Sequence, residues 1–418
     1  MTRHTIDPRT LLVALGVSLA MLHAPPAAAQ SSDDLFDPNT LQELRLTINT
    51  RDLRDLRAKS ENNTYYTADL QWRNIRVRNA GVRSRGNASR NGIKLGLRVD
   101  LDRYVTGQKF LGLKSFILKN LWQDGSMMHE RLAMSFFARM GQAASRESFC
   151  RLYINNEFQG LYVIVESVDN TYLTRTIGEN KGYLYSYQIQ DTFWGEYLGD
   201  DLEPYKIRFE AQSHEKEGDS KLYVPIHDWL REVNEPDDAV WRERVEQYVD
   251  LRQFVTQVAI EMFLAENDGL LGAYGMNNFF LYRFADTNRH RFFPWDKDNA
   301  FLVTDYSIFQ RTDENVLFRR AFAYQDLREL YFEVLESAAR SAAEDTELLD
   351  PSGKVTVIGW LEAQVGRLAE QVAATVEQDS RKPFSTEAFY ESVEILKQFA
   401  QQRSKFVLDQ VADARKRR

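Results

Sequence analysis

The sequence predicts an α+β protein in which a smaller sheet-rich lobe precedes a larger, mostly helical lobe. Residues 41–102 favour strands, whereas the second half of the chain carries apolar residues at three- and four-residue spacing. Strands followed by helices are typical of α+β architectures. We place the sheet-rich lobe at residues 30–190 and the helical lobe at residues 191–418.

Alternation of apolar and polar residues predicts the first strands of the sheet-rich lobe, at residues 44–48, 70–72 and 95–99. Four apolar residues at four-residue spacing then predict a helix with one buried face over residues 128–140. Two β-branched runs separated by a polar turn predict a hairpin, with strands at residues 151–154 and 160–165.

The helical lobe begins with residues 192–238, which are rich in acids, Gly and Pro and which we interpret as an irregular connection. Two aromatic runs joined by a polar turn predict a pair of short strands, at residues 279–282 and 292–293. Apolar spacing predicts the helices of this lobe, at residues 251–266, 327–343, 357–376 and 386–411.

The N-terminal residues 1–29 are predicted to be a secretory signal peptide. Two arginines precede an apolar run at residues 11–22, and an Ala-rich site at residues 27–29 follows it. The apolar run is short for a membrane span. We therefore expect cleavage near Ala29 and a secreted or periplasmic mature chain without a membrane span.

Composition limits the classes of function. The formal charge of -8 argues against general binding to nucleic acid or anionic membranes. Cys150 is the only cysteine in the 418 residues, so a disulfide within the chain is excluded. The sequence also contains no zinc signature of the His-Glu-x-x-His type and no Gly-x-Ser-x-Gly elbow.

Acidic and amide side chains next to the two short strands predict a metal site. Asp296 and Asp298 follow the second strand, and Asn278 precedes the first. Their oxygen atoms suit Mg²⁺, which binds a few carboxylate or amide oxygens together with water and phosphate oxygens. The alternative is structural, with the two aspartates capping a helix that begins at Asn299 and Asn278 closing a turn.

The two carboxylates Asp268 and Asp296 suggest a different chemistry. Glycoside hydrolysis uses a pair of Asp or Glu side chains on either side of the scissile bond. The separation of these two side chains decides whether they are such a pair, and the sequence leaves that open.

A basic segment over residues 81–94 predicts a loop that binds anions. Gly86 permits a tight turn, and Arg83, Arg85 and Lys94 supply positive charge for phosphate oxygens. The segment matches neither a Walker loop nor a Gly-x-Gly-x-x-Gly motif. A hairpin with solvated arginine side chains is the alternative.

Glu166 ends the apolar run at residues 160–165 and is costly to bury without a partner. In a nucleotide site its partner would be Lys94 or an arginine of the basic loop. The alternative is an ordinary carboxylate at a strand end, exposed to water.

Together these features resemble the CotH (spore coat protein H) kinase family, over roughly residues 41–411. The order and spacing of several motifs carry this resemblance, which is more specific than any one motif. The motifs are the Arg85-Gly86-Asn87-x-Ser89 loop with a following lysine, Gly160-Leu161-Tyr162 to Glu166, Asn267-Asp268, Asn278 to Tyr282, and Pro294-Trp295-Asp296-x-Asp298.

The resemblance implies a divergent, two-lobed protein-kinase-like fold in an exported protein. It also implies an enzyme that uses ATP and Mg²⁺ or Mn²⁺ to phosphorylate Ser or Thr of a protein substrate. The roles that it implies are phosphate contacts for Lys94 and Arg85, a nucleotide-site acid at Glu166, the catalytic base at Asp268, and metal ligands at Asn278, Asp296 and Asp298. Which of the two last aspartates is the main ligand stays open.

The chain departs from the family pattern near the basic loop and after the aspartate motif. Ala88 stands where Ser is common, a single lysine follows the loop where two are common, and Leu302 replaces a frequent Gly. A second hypothesis is therefore a secreted binding or adhesion protein that keeps the kinase-like scaffold without catalysis, because a fold does not determine a function.

Overall fold

The computed structural model describes residues 30–349 and 352–417. The predicted signal peptide, residues 1–29, lies outside the described residues. The strands are β1 Gln42–Ile48, β2 Tyr66–Trp72, β3 Ile75–Ser84, β4 Leu97–Asp100, β5 Ser115–Lys119, β6 Glu147–Ile154, β7 Glu157–Glu166, β8 Tyr183–Tyr187, β9 Phe209–Ala211, β10 Phe279–Arg283, β11 His290–Pro294, β12 Asp345–Leu349 and β13 Val355–Gly359.

The helices are α1 Ser32–Leu35, α2 Thr50–Ala58, α3 His129–Arg139, α4 Asn170–Ile177, α5 Glu203–Lys206, α6 Asp219–Leu222, α7 Val224–Val233, α8 Asp238–Val245, α9 Leu251–Phe263, α10 Val316–Ala323, α11 Gln325–Ala342, α12 Trp360–Gln378 and α13 Thr386–Lys416. Most strands lie in the first half of the chain and most helices in the second, which confirms the predicted α+β class. Among the described residues, no helix has the length and apolar character needed to cross a membrane.

The first seven strands form a closed barrel in the order β1-β2-β3-β4-β5-β7-β6. All neighbours are antiparallel except β1 and β6, which run parallel and place Leu44 opposite Leu152. Alternate residues of β1 are buried, as expected for a strand with one face towards a core. Inside the barrel, Trp72, Phe116 and Ile164 belong to one apolar cluster.

A second sheet has the strand order β11-β10-β8-β9. Its strand β8 belongs to the chain segment that we assigned to the first lobe, yet it pairs with β10, with Tyr185 opposite Leu281. The sheet therefore joins residues from both sides of position 190. Helix α9 packs behind it against β11 and also contacts α11.

The predicted strands of the barrel, the 151–165 hairpin and the strand pair at β10 and β11 are confirmed. Residues 192–238 differ from the prediction, because they contain α5, α6, α7 and the start of α8. Helix α7 has Pro225 at its start, where proline is tolerated, and buries Trp229 and Leu230. Residues that we assigned to the start of the 357–376 helix belong to strand β13 instead.

Candidate functional site

A cleft of about 400 Å³ is lined by residues of the barrel and of the second sheet. The loop between β3 and β4 forms one wall, and the ends of β8 and β10 form another. Five of the predicted site residues line this cleft together: Arg85, Asp268, Asn278, Asp296 and Asp298. The structure thus brings together side chains that are far apart in sequence.

Lys94 does not line the cleft. Its Nζ lies 2.7 Å from Oδ2 of Asp379, and both side chains are fully buried. The same carboxylate oxygen accepts a hydrogen bond from the backbone N–H of Leu161 at 3.0 Å. Lys94 was expected to contact phosphate in the cleft. Its side chain instead forms a buried ion pair with Asp379.

Glu166 is also outside the cleft, although it has the cationic partners that its burial requires. Arg146 Nη2 lies 2.7 Å from Oε1 of Glu166, and Arg175 donates to the same carboxylate. The side chain of Glu166 is 1% exposed, so the alternative of a carboxylate in water is wrong. The partners are neither Lys94 nor a basic-loop arginine.

Lys119, at the end of β5, is the cation that the structure places at the predicted acids. Its Nζ lies 2.8 Å from Oε1 of Glu130 on α3 and forms an ion pair with Asp296. Burial opposes the charged form of Lys119, but the carboxylates of Asp296 and Glu130 outweigh it and raise the pKa of the ammonium group. Lys119 is therefore a permanent positive charge at the acidic side of the cleft.

Asp268 is held by two amide side chains. Its Oδ1 accepts a hydrogen bond from Asn277 Nδ2 at 3.0 Å, and its Oδ2 accepts one from Asn278 Nδ2 at 2.9 Å. Burial raises the pKa of Asp268 in spite of these bonds. Asn278 donates through its nitrogen here, so its side-chain oxygen is not used in this contact.

Asp296 and Asn278 both adopt left-handed backbone conformations, with φ of 54° each. Such values are uncommon for residues other than glycine and often occur at functional sites. Residues 296–303 form no helix, so the alternative of a helix beginning at Asn299 is wrong. The acids lie in an irregular segment that follows β11.

The buried side chain of Lys297 connects this irregular segment to α9 and to Asn278. It is fully buried, and its Nζ lies 2.8 Å from Oε1 of Glu261 on α9 and donates to the backbone carbonyl of Asn278 at 3.1 Å. Glu130 accepts the backbone N–H of Lys297, which ties α3 to the same segment. The two aspartates on either side of Lys297 therefore have a well-defined backbone.

The two aspartates have opposite pKa shifts. Burial opposes ionisation of Asp296, but the charges of Lys119 and Arg85 outweigh it and lower the pKa of Asp296. Burial, reinforced by the negative charge of Asp296, raises the pKa of Asp298 to about 8. Asp296 is thus the carboxylate that stays ionised at neutral pH.

The loop between β3 and β4, which forms one wall of the cleft, has a tight turn at Gly86. Gly86 has a φ of 113°, and a Cβ at this position would lie 2.8 Å from Ser89 Oγ. Arg83 and Arg90 both bond to Asn63 Oδ1 and the Ser84 carbonyl, which leaves Arg85 facing Trp295 at 5.6 Å from its ring centroid. Arg83, Arg85 and Arg90 are thus half-buried and have partners within the protein.

The donor set of the cleft fits a hard divalent cation. Asp296, Asp298 and Asn278 offer oxygen atoms, and none of the described His or Cys residues lines the cleft. Within the described part of the chain, no group of three or more His, Cys, Asp or Glu side chains is arranged to hold a metal ion. Mg²⁺ does not require three such side chains, because it is usually held by one or two carboxylates, waters and substrate phosphates.

Sequence reasoning missed Lys119 and Glu130. The property that could have identified Lys119 is its place at the end of β5, a strand whose five residues are all buried. A lysine in such a strand requires a carboxylate partner. Glu130 could have been identified as a carboxylate partner in the same way, because it lies in the first turn of a helix with a buried apolar face.

Comparison with known proteins agrees with the motifs of the sequence. A family model described as CotH kinase protein matches residues 82–407. Inner spore coat protein H of Bacillus subtilis (strain 168) is 22% identical over 377 residues, which cover 88% of this chain and 97% of that protein. The matched range includes the five predicted site residues that line the cleft, together with Lys119 and Glu130.

Proposed function

Because the chain belongs to the CotH kinase protein family, we propose that it transfers the γ-phosphoryl group of ATP to a Ser or Thr hydroxyl of a protein. The observation that carries this proposal is Lys119, which is held between Glu130 and Asp296, because Asp296 lines the same cleft as Asp268 and Asn278. A Lys–Glu ion pair beside a metal-binding Asp is the arrangement that protein kinases use. The fold is accordingly proposed to be a divergent protein-kinase-like fold.

Lys119 takes the phosphate-binding role that the sequence suggested for Lys94. Glu130 orients its ammonium group, and the raised pKa keeps it charged while it contacts phosphate oxygens. Arg85 lines the same cleft and adds a guanidinium group that can bind two phosphate oxygens at once. Lys94 and Glu166 are assigned structural roles.

Asp296 and Asn278 are proposed to hold Mg²⁺ or Mn²⁺, with Asp298 as a second acid. Asp296 is the proposed principal ligand, because the charges of Lys119 and Arg85 lower its pKa, whereas burial and the charge of Asp296 raise the pKa of Asp298. Held by these residues, a divalent cation would supply positive charge to the phosphate oxygens during transfer.

Asp268 is the proposed base. The acceptor hydroxyl oxygen forms a bond to the γ-phosphorus as the bond to the β,γ-bridging oxygen breaks, and Asp268 accepts the hydroxyl proton. The two amide bonds from Asn277 and Asn278 orient its carboxylate. Burial raises its pKa, which makes it a stronger base than an exposed aspartate.

We also propose that the protein is exported, on the basis of the predicted signal peptide at residues 1–29. The protein substrate is then an exported or surface protein. The alternative, a secreted binding or adhesion protein on the same scaffold, predicts no phosphoryl transfer to any acceptor.

The experiment compares Lys119→Met with Lys114→Met in the purified protein. Lys114 is exposed and lies on the approach to the same strand, so it controls for loss of a lysine. We measure transfer of labelled γ-phosphate to the protein itself, to casein and to water, with Mg²⁺ present. Lys119→Met should lower the rate by about 100-fold or more, as for loss of other charge-stabilising donors, and Lys114→Met should leave it unchanged. Absence of transfer to all three acceptors by the unmodified protein would support the binding-protein alternative.

A further inference from the structure

A second pocket lies against helix α3 and shares no lining residue with the cleft. Its volume is about 700 Å³, which is within the usual range for small-molecule sites. One face of α3 forms a wall, and the N-terminal segment, the loop after α3 and helix α4 supply the others. We call it the rear pocket, defined by Phe36, Arg131, Met134, Ala138, Ser145 and Glu147.

The rear pocket contains buried polar groups that have no hydrogen-bond partner among the described residues. They are Nε and Nη2 of Arg131, both carboxyl oxygens of Glu147, and Oγ of Ser145. The exposed fractions of these residues are 5%, 2% and 5%. An unpaired buried polar group costs about 1–3 kcal/mol, and more when it is charged, so such a concentration requires an explanation.

The pocket also has an excess of positive charge. Arg146 and Arg175 line it but are committed to Glu166. Arg131 and Arg291 line it too, and neither forms an ion pair with a carboxylate in the described part of the chain. Two guanidinium groups are therefore available to an anion.

Glu147 bears less negative charge than an ordinary carboxylate, so it competes only weakly with an anion. Burial, reinforced by the negative charge of Glu130, raises the pKa of Glu147 well above its usual value. Nε and Nη2 of Arg131 and Oγ of Ser145 therefore remain as buried donors without a partner among the described residues in this part of the pocket.

Apolar side chains form part of the walls, beside the polar residues Asp33, Ser135, Gln142 and Thr176. Met134 and Phe36 are 1% and 4% exposed, and Ala138, one turn after Met134 on α3, is open to solvent. A ligand that fits such a pocket has a charged end for Arg131 and an apolar body for these side chains.

We propose that the rear pocket binds a small organic oxyanion, a carboxylate or a phosphate monoester with an apolar body, and that Arg131 is its main contact. This site is separate from the cleft, and its existence does not depend on phosphoryl transfer.

Calorimetry of the purified protein tests the site with three probes of similar size: benzoate, phenyl phosphate and the neutral benzamide. Benzoate or phenyl phosphate should bind saturably, and benzamide should bind at least about tenfold more weakly, because it lacks the charge that Arg131 pairs with. Comparison of the two anions distinguishes a carboxylate ligand from a phosphate ligand. Equal binding of benzamide and benzoate, or no saturable binding of either anion, would overturn the proposal.

Three variants locate the binding. Arg131→Met should weaken anion binding at least about tenfold, and Ala138→Trp should block it by filling the open side of the pocket without removing a buried side chain. Arg139→Met is the matched control, because Arg139 lies on the same helix and bonds to Ser341 and Glu344 instead. Anion binding that survives in both pocket variants, or that is lost in Arg139→Met, contradicts the assignment. Binding that is lost only with Arg85→Met would place the anion in the cleft.

Discussion

Lys119 and Lys94 both form buried ion pairs near the barrel, but only Lys119 is paired with a residue of the cleft. Lys119 has two carboxylate partners, and one of them, Asp296, lines the cleft, so the charge of Lys119 lies next to the cleft although its own side chain is 8% exposed. Lys94 has one partner, Asp379, and both side chains are sealed from solvent. The first lysine is suited to binding and the second to holding the fold together.

Lys94→Met is predicted to destabilise the protein by about 3–5 kcal/mol, because it leaves the Asp379 carboxylate buried without its cation. The double variant Lys94→Met with Asp379→Asn should recover most of that loss, since the amide oxygen still accepts the backbone N–H of Leu161. Urea unfolding measures both. A single variant as stable as the wild type would show that the ion pair has no structural role.

His290 makes stability depend on pH. It is 1% exposed, one ring nitrogen lies 2.9 Å from the Tyr248 carbonyl, and burial lowers its pKa to about 3. Below the unfolded-state value of about 6.5, the unfolded chain binds a proton that the folded chain excludes. Stability that is fully present above pH 6.5 should therefore fall by about 2 kcal/mol on going to pH 5.

The matched variant is His290→Asn, which keeps a side-chain N–H donor but does not titrate in this range. Denaturant unfolding at pH 7.5 and pH 5 should give a smaller loss of stability for this variant than for the wild type. The same loss in both proteins would assign the acid sensitivity to other groups.

The residues of the cleft were predicted in part. Asp268, Asn278, Asp296 and Asp298 stand in short motifs beside recognisable strands, so local sequence was enough to nominate them. Lys94 was nominated for following the basic loop, but the direction of a side chain after a loop depends on packing against distant residues, here Asp379. Local sequence does not contain that information.

At the scale of elements, helix α13 connects to the site through one side chain. Arg403 is fully buried and donates to the carbonyls of Met262 and Phe263 at the end of α9, at 2.5 and 2.8 Å. It also donates to the carbonyls of Thr304 and Tyr306 after the aspartate segment. The guanidinium group of Arg403 thus satisfies carbonyls at the C-terminal end of α9, which lies four residues before Asn267.

Arg403→Met is predicted to destabilise the protein by about 3 kcal/mol or more, because several buried carbonyls lose a charged donor. Arg403→Lys should recover less than half of that loss, since an ammonium group does not reproduce the planar fork. Denaturant unfolding of the three proteins tests this. Equal stability of Arg403→Lys and wild type would contradict the bonding described here.

Elements with a clear period were predicted well, and elements without one were not. The alternation in β1 and the apolar stripe of α3 correspond to observed burial. Helix α7 was missed because its segment, 192–238, is dominated by acids, Gly and Pro, and its stability comes from burying Trp229. Strand β13 was assigned to a helix because a short β-branched run also fits a helix start.

At the scale of the whole molecule, the cleft exists because the barrel and the second sheet meet with their loops on one side. Closure of the barrel depends on the parallel pairing of β1 with β6, and the second sheet depends on the pairing of β8 with β10. Both pairings join segments that are distant in the chain. The α+β class follows from the order of elements, whereas these pairings require the folded chain.

The measurement that tests the central claim most directly is transfer of labelled γ-phosphate at saturating Mg²⁺ and ATP by the wild type, Asp268→Asn and Asp296→Asn. The wild type should transfer label, and Asp268→Asn should lose transfer by about 100-fold or more while it still binds ATP, because a base acts on the acceptor hydroxyl and not on the nucleotide. Asp296→Asn should lose both transfer and metal-dependent ATP binding. Transfer at the wild-type rate by Asp268→Asn would contradict the account.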